Sequence, residues 1–311
     1  MTTDRDRTLD VGVVIVTYNS EDAIAALVRS MEVGLAGLAW DGVVIDNDSH
    51  DGTLMQLQSC GMRVIQMGFN AGYAAAINRG VQQFPTARSV LVLNPDVALA
   101  EGSVTELLAG LDDPLVGITI PQMRDFAGNL AFTQRRTPSL PRALGPAVIG
   151  GERAMRFAWL SEMVANEHDY LAATDVAWGV GAVFLIARAC IDAVGDWDES
   201  FFLYSEETDY CHRALTAGFR TRYIPTAIAY HEGGGGVNQP RLRSMMVINK
   251  VRHYSRLHRA PAAWLFYSAV VLNEAIRAMM GNDAAKAATF ALLMPARRPP
   301  EIACSTSRLP R

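Results

Sequence analysis

A mostly parallel α/β sheet flanked by helices is the fold that the first third of the chain predicts. Short apolar runs alternate there with helix-like segments, each run is apolar along its length rather than at every second residue, and polar residues collect directly after each run. Such alternation marks parallel strands joined by helical crossovers, and continuous apolarity marks strands covered on both faces. Ligands of open sheets bind beyond the carboxyl ends of the strands. The residues after each run therefore carry the functional reading.

The runs are "VGVVIVTY" (11–18), "GVVIDN" (42–47), "MRVIQM" (62–67) and "SVLVLNPDV" (89–97), and "SEDAIAALVRSMEV", "GTLMQLQSC" and "NAGYAAAINRGVQQF" read as the helices between them. Further on, "RRTPSLPRALGPAVIGG" (135–151) is rich in Pro, Gly and Arg and reads as a loop or lid, followed by a helix near "ERAMRFAWLSEMVANE". "AVFLIARA" (182–189) and "TRYIPTAIAYH" (221–231) read as two more strands, and beyond "GGGG" (233–236) the chain becomes basic and helical. This predicts one domain over 1–240, with halves 10–100 and 101–240, and a helical C-terminal extension over 241–311.

Of 311 residues, 50% are hydrophobic and 19% charged, the composition of an ordinary folded protein. The net charge of -4 excludes a nucleic-acid binder that works by broad positive charge. The charge is uneven, because residues 240–311 hold 12 Lys and Arg against 3 Asp and Glu. Cys60, Cys190, Cys211 and Cys304 show neither CxxC spacing nor a disulfide framework, and "MTTDRDRTLD" has no apolar h-region. Both predict a cytoplasmic chain.

Four groups could carry chemistry. Asp46 directly follows "VVI" and is placed to accept hydrogen bonds from a base or ribose, although Asp51, Gly52 and Thr53 nearby suit an ordinary turn. "GFNAGYAAAINRG" enters a helix through small residues that permit close backbone approach to a ligand. It is neither a GxxxxGK[ST] phosphate loop nor a GxGxxG fingerprint. In "LNPDV", Pro95 either simply ends the strand or fixes the backbone so that Asp96 meets a divalent cation, whose shell would be completed by phosphate oxygens and water. His231, after its strand, is then a further metal ligand or a structural histidine. In "FFLYSEETDYCHRA", aromatics precede Glu206, Glu207 and Asp209, lowering the local polarity and suiting Glu207 to accept a proton; the alternative is an acidic helix start that complements the helix dipole.

Taken in order, "VVIVTYNS", "VIDNDSHDGT", "GFNAGYAAAINRG", "LVLNPDV", "VGAVFLIARA", "GDWDESFFLYSEETDYCHRALTAGF" and "AYHEGG" resemble the family 2 inverting glycosyltransferases of the GT-A fold, over residues 10–260 and nearest to their bacterial rhamnosyltransferase-like branch. The resemblance implies a nucleotide-binding half (10–100) and an acceptor-side half (101–240). It implies that Thr17, Tyr18, Asn19 and Glu21 meet the nucleotide, that Asp46 and Asp48 lie around base and ribose, and that Gly68, Asn70, Gly72 and Asn78 line the same pocket. Asn94, Pro95 and Asp96 match the metal-binding DxD-type motif. Glu206 matches the first acid of the acidic motif and Glu207 the base, with Glu in place of the usual Asp, which leaves the base to be assigned among Glu206, Glu207 and Asp209.

The implied reaction moves a sugar, L-rhamnose from dTDP-rhamnose, to a saccharide or polyprenyl-linked acceptor with Mg2+ or Mn2+, in cell-envelope polysaccharide synthesis. A nucleotidyltransferase would carry a basic phosphate loop where "VTYNSED" has no basic residue, and a non-catalytic sugar-nucleotide-binding scaffold would not need the acidic motif. The tail, "RLRSMMVINKVRHYSRLHR" followed by the 13 apolar residues of "APAAWLFYSAVVL", is too short in its apolar part to span a bilayer. It predicts either peripheral contact with the inner face of the plasma membrane, or packing on the domain or in a homo-oligomer.

Overall fold

The computed structural model describes residues 8–233, 236 and 238–303. Cys304 lies outside them. The elements, in order, are β1 (Val11–Thr17), α1 (Glu21–Gly34), β2 (Trp40–Asp46), α2 (Thr53–Ser59), β3 (Val64–Gln66), α3 (Tyr73–Val81), β4 (Ser89–Leu93), β5 (Val97–Leu99), α4 (Ser103–Ala109) and β6 (Val116–Arg124). They continue with β7 (Gln134–Arg135), α5 (Leu140–Ile149), α6 (Gly151–Met155), β8 (Thr174–Val176), β9 (Trp178–Gly179), β10 (Val183–Ala187), α7 (Arg188–Val194), α8 (Glu206–Thr216) and β11 (Arg220–His231). The helices α9 (Pro240–Leu257), α10 (Ala260–Met279), α11 (Asp283–Leu293) and α12 (Pro300–Ala303) follow.

These elements fall into two compact units that interleave in sequence. One holds the chain up to Gln134 with Glu167–Glu199 and Tyr210–Glu232; the other holds Arg135–Asn166, Ser200–Asp209 and the chain from Gly233.

The first unit is built on a nine-stranded sheet of order β3-β2-β1-β4-β10-β6-β11-β5, with β8 added beside β11. The first four strands of that order are parallel, as the apolar runs predict, and every residue of β1 and β4 is buried. β10 is antiparallel to both β4 and β6, while β11 runs parallel to β6 and antiparallel to β5. Helix α3 approaches β1 closely because position 80 is glycine: a Cβ there would overlap the Val14 side chain. The single strand read over 89–97 is two strands, with Asn94–Asp96 between them. Proline has no N–H to give a ladder and breaks the run at that point.

In the second unit α9, α10 and α11 share an apolar core that includes Met245, Ile248, Val251, Phe266, Val270, Ala288 and Leu292. Tyr254 stacks on Phe266 with ring centroids 3.8 Å apart. A buried bidentate pair, Arg243 to Glu274 at 2.6 and 2.7 Å, joins α9 to α10. No described helix is long and apolar enough to cross a membrane.

Two expectations change in this unit. The segment 135–151 is not a loop throughout but carries α5, because Pro141 sits in the first helical turn, where a missing N–H costs nothing. The helix read near "ERAMRFAWLSEMVANE" is confined to α6, because backbone groups beyond it bond outside any helix: the Arg136 N–H donates to the Glu162 carbonyl at 2.7 Å, and Arg135 and Met163 form an antiparallel bridge.

Candidate active site

The parallel register of β1 and β2 sets Thr17 directly beside Asp46, both at the carboxyl ends of their strands. The Thr17 hydroxyl donates to Asp46 Oδ1 at 2.9 Å, and Ser49 adds its hydroxyl to Oδ1 at 2.6 Å and its N–H to Oδ2 at 3.0 Å. Asp46 is buried and committed to shaping the turn that follows it. Asn19 and Asp48 take left-handed φ of 50° and 67°, a conformation that Asn and Asp tolerate better than most residues. Asn19 ties its turn to the next, accepting from the His50 N–H at 2.8 Å and donating its own N–H to Ser49 Oγ at 2.9 Å. Glu21 accepts the Gly52 N–H at 3.0 Å; a Cβ at position 52 would overlap that carboxylate. Tyr18 stays exposed, and the half-exposed Asp48 carboxylate lies 3.5 Å from the His50 ring.

At the entrance to α3, Gly68 and Gly72 hold φ of 77° and 90°, and Asn70 accepts the Gly72 N–H at 3.1 Å. Asn47, absent from the predicted site, is what joins this loop to β2: its buried amide donates to the Gly72 carbonyl at 3.1 Å and accepts from the Ala71 N–H at 3.3 Å. Tyr73, the first residue of α3, donates its hydroxyl to Asn94 Oδ1 at 2.7 Å. Asn78 departs from the expectation that it lines a pocket. Its buried amide donates to the Trp197 carbonyl and to Glu199, and its oxygen accepts the Trp197 N–H at 2.8 Å. A buried amide so fully bonded is a structural tie.

Asp96 follows Pro95 in the break between β4 and β5. The antiparallel register of β5 and β11 sets Val97 opposite His231, and His231 Nε2 lies 3.2 Å from Asp96 Oδ2. Partial burial opposes ionisation of Asp96, but the hydrogen bond and charge of His231 outweigh it and hold the carboxyl below its usual range. The side chain remains 51% exposed, so the carboxylate is ionised and accessible. Among the described residues no cluster of three or more His, Cys, Asp or Glu side chains gathers to hold a metal. One carboxylate beside one imidazole suits a divalent cation that takes the rest of its shell from substrate phosphate and water.

The acidic motif belongs to the second unit. Phe202, Tyr204 and Ser205 hold left-handed φ of 61°, 69° and 73°, a costly conformation for bulky residues. Asn249 of α9 holds this segment, donating from Nδ2 towards the carbonyls of Phe201, Leu203 and Tyr204 at 2.6, 2.9 and 3.2 Å. The next two residues open α8. Glu206 is buried, and both Glu206 Oε2 and Glu207 Oε2 are shielded from solvent without a hydrogen-bond partner. Burial, then the neighbouring Glu207 charge, pushes Glu206 well above the usual carboxylate range. Burial likewise pushes Glu207 up to about 7, against backbone N–H groups and the Arg135 charge that pull it down. A carboxyl with that affinity and an open oxygen can take a proton from a hydroxyl near neutral pH. Asp209 points elsewhere, its Oδ1 lying 3.8 Å from Nδ1 of the buried His253.

Sequence patterns alone do not single out Tyr73 or Asn249, and they place Asn47 at the strand end without giving it a role. Asn47 stands between two aspartates after a strand, and that position is a usable signal. Asn249 carries no local signal, because its partners lie more than forty residues away.

Comparison with known proteins bears on this arrangement. Residues 12–164 match the family model Glycosyl transferase family 2. The N-acetylglucosaminyl-diphospho-decaprenol L-rhamnosyltransferase of Mycobacterium tuberculosis is 27% identical over 281 residues, covering 84% of this chain and 90% of the relative. Among solved structures, mannosyltransferase PcManGT from Pyrobaculum calidifontis, in complex with GDP-Man and Mn2+, superposes with a TM-score of 0.56 at 15% identity, covering 96% of this chain and 79% of that one. GalNAc-T7 with UDP, GalNAc and Mn2+ gives 0.54 at 16% identity over 80% of this chain, which spans 48%, about half, of that protein. The structural likenesses establish the fold, and the sequence matches establish the kind of enzyme. Residues 12–164 are thus a family 2 glycosyl transferase domain, and the chain that carries it is a rhamnosyltransferase-like glycosyltransferase of the GT-A fold.

Proposed function

We propose that the chain is a metal-dependent inverting glycosyltransferase that moves L-rhamnose from dTDP-rhamnose to a saccharide or polyprenyl-linked acceptor, in cell-envelope polysaccharide synthesis on the cytoplasmic side of the plasma membrane. The observation that carries the reaction type is Glu207, a carboxyl with an unpartnered oxygen and an affinity near neutrality. Burial and the neighbouring Glu207 charge push Glu206 up as well, so the adjacent pair shares its protons, and Glu207, which matches the base position of the acidic motif, is the residue proposed as the base. It accepts the acceptor hydroxyl proton as that oxygen attacks the anomeric carbon opposite the departing nucleoside diphosphate. A single displacement of this kind inverts the centre.

Asp96 and His231 would hold Mg2+ or Mn2+, which offsets the charge developing on the diphosphate. Thr17, Asp46 and Asn47 fix the turns that present Tyr18, Asn19, Glu21 and Asp48 to the nucleotide, while Gly68, Asn70 and Gly72 let its backbone-facing side approach. The choice of sugar and acceptor rests on the rhamnosyltransferase named among the relatives. A panel of nucleotide sugars, each with and without Mg2+ or Mn2+, tests it by thermal stabilisation and by turnover. dTDP-rhamnose is expected to stabilise the protein above UDP- and GDP-sugars and to be consumed; stabilisation by another sugar nucleotide alone reassigns the donor.

A further inference from the structure

We infer that the second unit carries a binding site for anionic phospholipid, formed by the ends of its C-terminal helices, through which the protein docks on a bilayer. The inference deepens the reading above, from which it takes only the lipid-linked acceptor. A cavity of about 630 Å³ opens between α9, α11 and the segment beyond α11. Arg241, Lys286, Arg297 and Arg298 line it, with Asp283 as the acid among its lining residues, and Phe290 and Met294 supply apolar wall. Arg241 is ion-paired with Glu301, and Arg298 donates to the Ala291 carbonyl at 3.3 Å. No acidic side chain among the described residues forms an ion pair with Lys286 or Arg297.

The second observation is apolar exposure in the same unit. Phe290 and Met294 are 43% and 48% exposed, and Met279 and Met280, at the end of α10, are 79% and 82% exposed. Large apolar side chains left in water beside unmatched cations need an occupant that satisfies both. A free phosphate or nucleotide would engage the cations and leave the apolar wall wet. A lipid headgroup phosphate with its acyl chain engages both, and the excess of 12 basic over 3 acidic residues in 240–311 adds general attraction to an anionic surface. Because no described helix can cross a bilayer, the contact is peripheral.

The test is co-sedimentation of the full chain with phosphatidylcholine vesicles, with and without phosphatidylglycerol. Wild type is expected to pellet with the phosphatidylglycerol vesicles and to be released by salt. The double variant Lys286→Glu/Arg297→Glu should lose partitioning by roughly 30-fold or more, as expected when two cations stop contributing at the surface. Phe290→Ser/Met294→Ser should weaken binding in a way that salt does not mimic. These side chains are exposed, so folding should persist, which the melting temperature checks; Lys286→Gln/Arg297→Gln serves as the milder pair. Equal pelleting of wild type with both vesicle types, or of the charge variants with wild type, overturns the inference. So does stabilisation by inorganic phosphate that the charge variants lose, without vesicle binding. Turnover of a soluble donor and acceptor is measured in parallel: vesicle binding without turnover rejects the enzymatic reading alone, and turnover without binding rejects the lipid site alone.

Discussion

The edge of the sheet and the acidic motif treat their carboxylates in opposite ways. At the ends of β1 and β2, Asp46 is buried with Thr17 and Ser49 donating to it, so its charge is satisfied and its position fixed. At the start of α8, Glu206 and Glu207 are shielded from water with an oxygen each left unbonded, on a segment in left-handed backbone. A satisfied carboxylate is rigid and chemically quiet; an unsatisfied one is costly and reactive. On the function proposed above, shaping falls to the first region and proton transfer to the second, and each can be perturbed by itself.

The sharpest way to break that contrast is Glu207→Gln. Loss of a positioned base is expected to lower kcat by roughly a thousandfold, measured as donor-dependent product formation. The same change should stabilise the fold. A group whose folded affinity is raised to about 7 favours folding below its unfolded value of 4.5 and loses that contribution as pH rises through about 7. The melting temperature of Glu207→Gln should therefore exceed wild type above about pH 7 and converge with it in acid. In wild type the rate should fall as pH drops below about 7, as the base takes up its proton. A Glu207→Gln enzyme with unchanged kcat would move the base to Glu206 or Asp209.

Asp96→Ala comes next. It should cost roughly a hundredfold or more in kcat/KM and abolish metal-dependent stabilisation by nucleoside diphosphates, read by thermal shift with and without Mn2+. Removal of metal with EDTA should bring wild type down to the level of the variant. A variant that retains the metal response would leave Asp96 without its proposed role.

Two smaller changes probe the supports. Asn249→Ala leaves the carbonyls of Phe201, Leu203 and Tyr204 without their donor and should cost about 2–3 kcal/mol in denaturant unfolding, with kcat falling alongside. Asn249→Asp has the same shape but no donor, and should be no better. Thr17→Val removes one hydroxyl while Ser49 still serves Asp46, and should cost about 1 kcal/mol with little effect on kcat. If Thr17→Val proves the more damaging, the sheet edge takes part in chemistry and the contrast fails.

Much of the fold and of the candidate site is legible in the amino-acid sequence. The parallel half announces itself because its strands are buried on both faces and so are apolar at every position. The break at Pro95 is readable because proline acts locally, and the acidic motif because aromatics and carboxylates are adjacent in the chain. Asn78 misleads because its partners, Trp197 and Glu199, lie some 120 residues on, so its amide looks available. The region 135–166 misleads for two reasons: proline weighs as a breaker where it opens α5, and backbone bonding to Arg136 is invisible in a helical pattern. Local chemistry is legible, and long-range hydrogen bonding is not.

The pairing of Val97 with His231 also bears on how the protein matures. Asp96 and His231 stand 135 residues apart, and β11, which brings them together, is the last strand of the sheet in chain order. Contacts of such sequence separation form late and slowly, since a long loop must close before they reward the chain. A nascent or partly folded chain thus has β1 to β4 before Asp96 and His231, the proposed metal donors, are brought together. If the proposed cation site is used, cation capture would report that the sheet is complete, and immature chains would not compete for the ion.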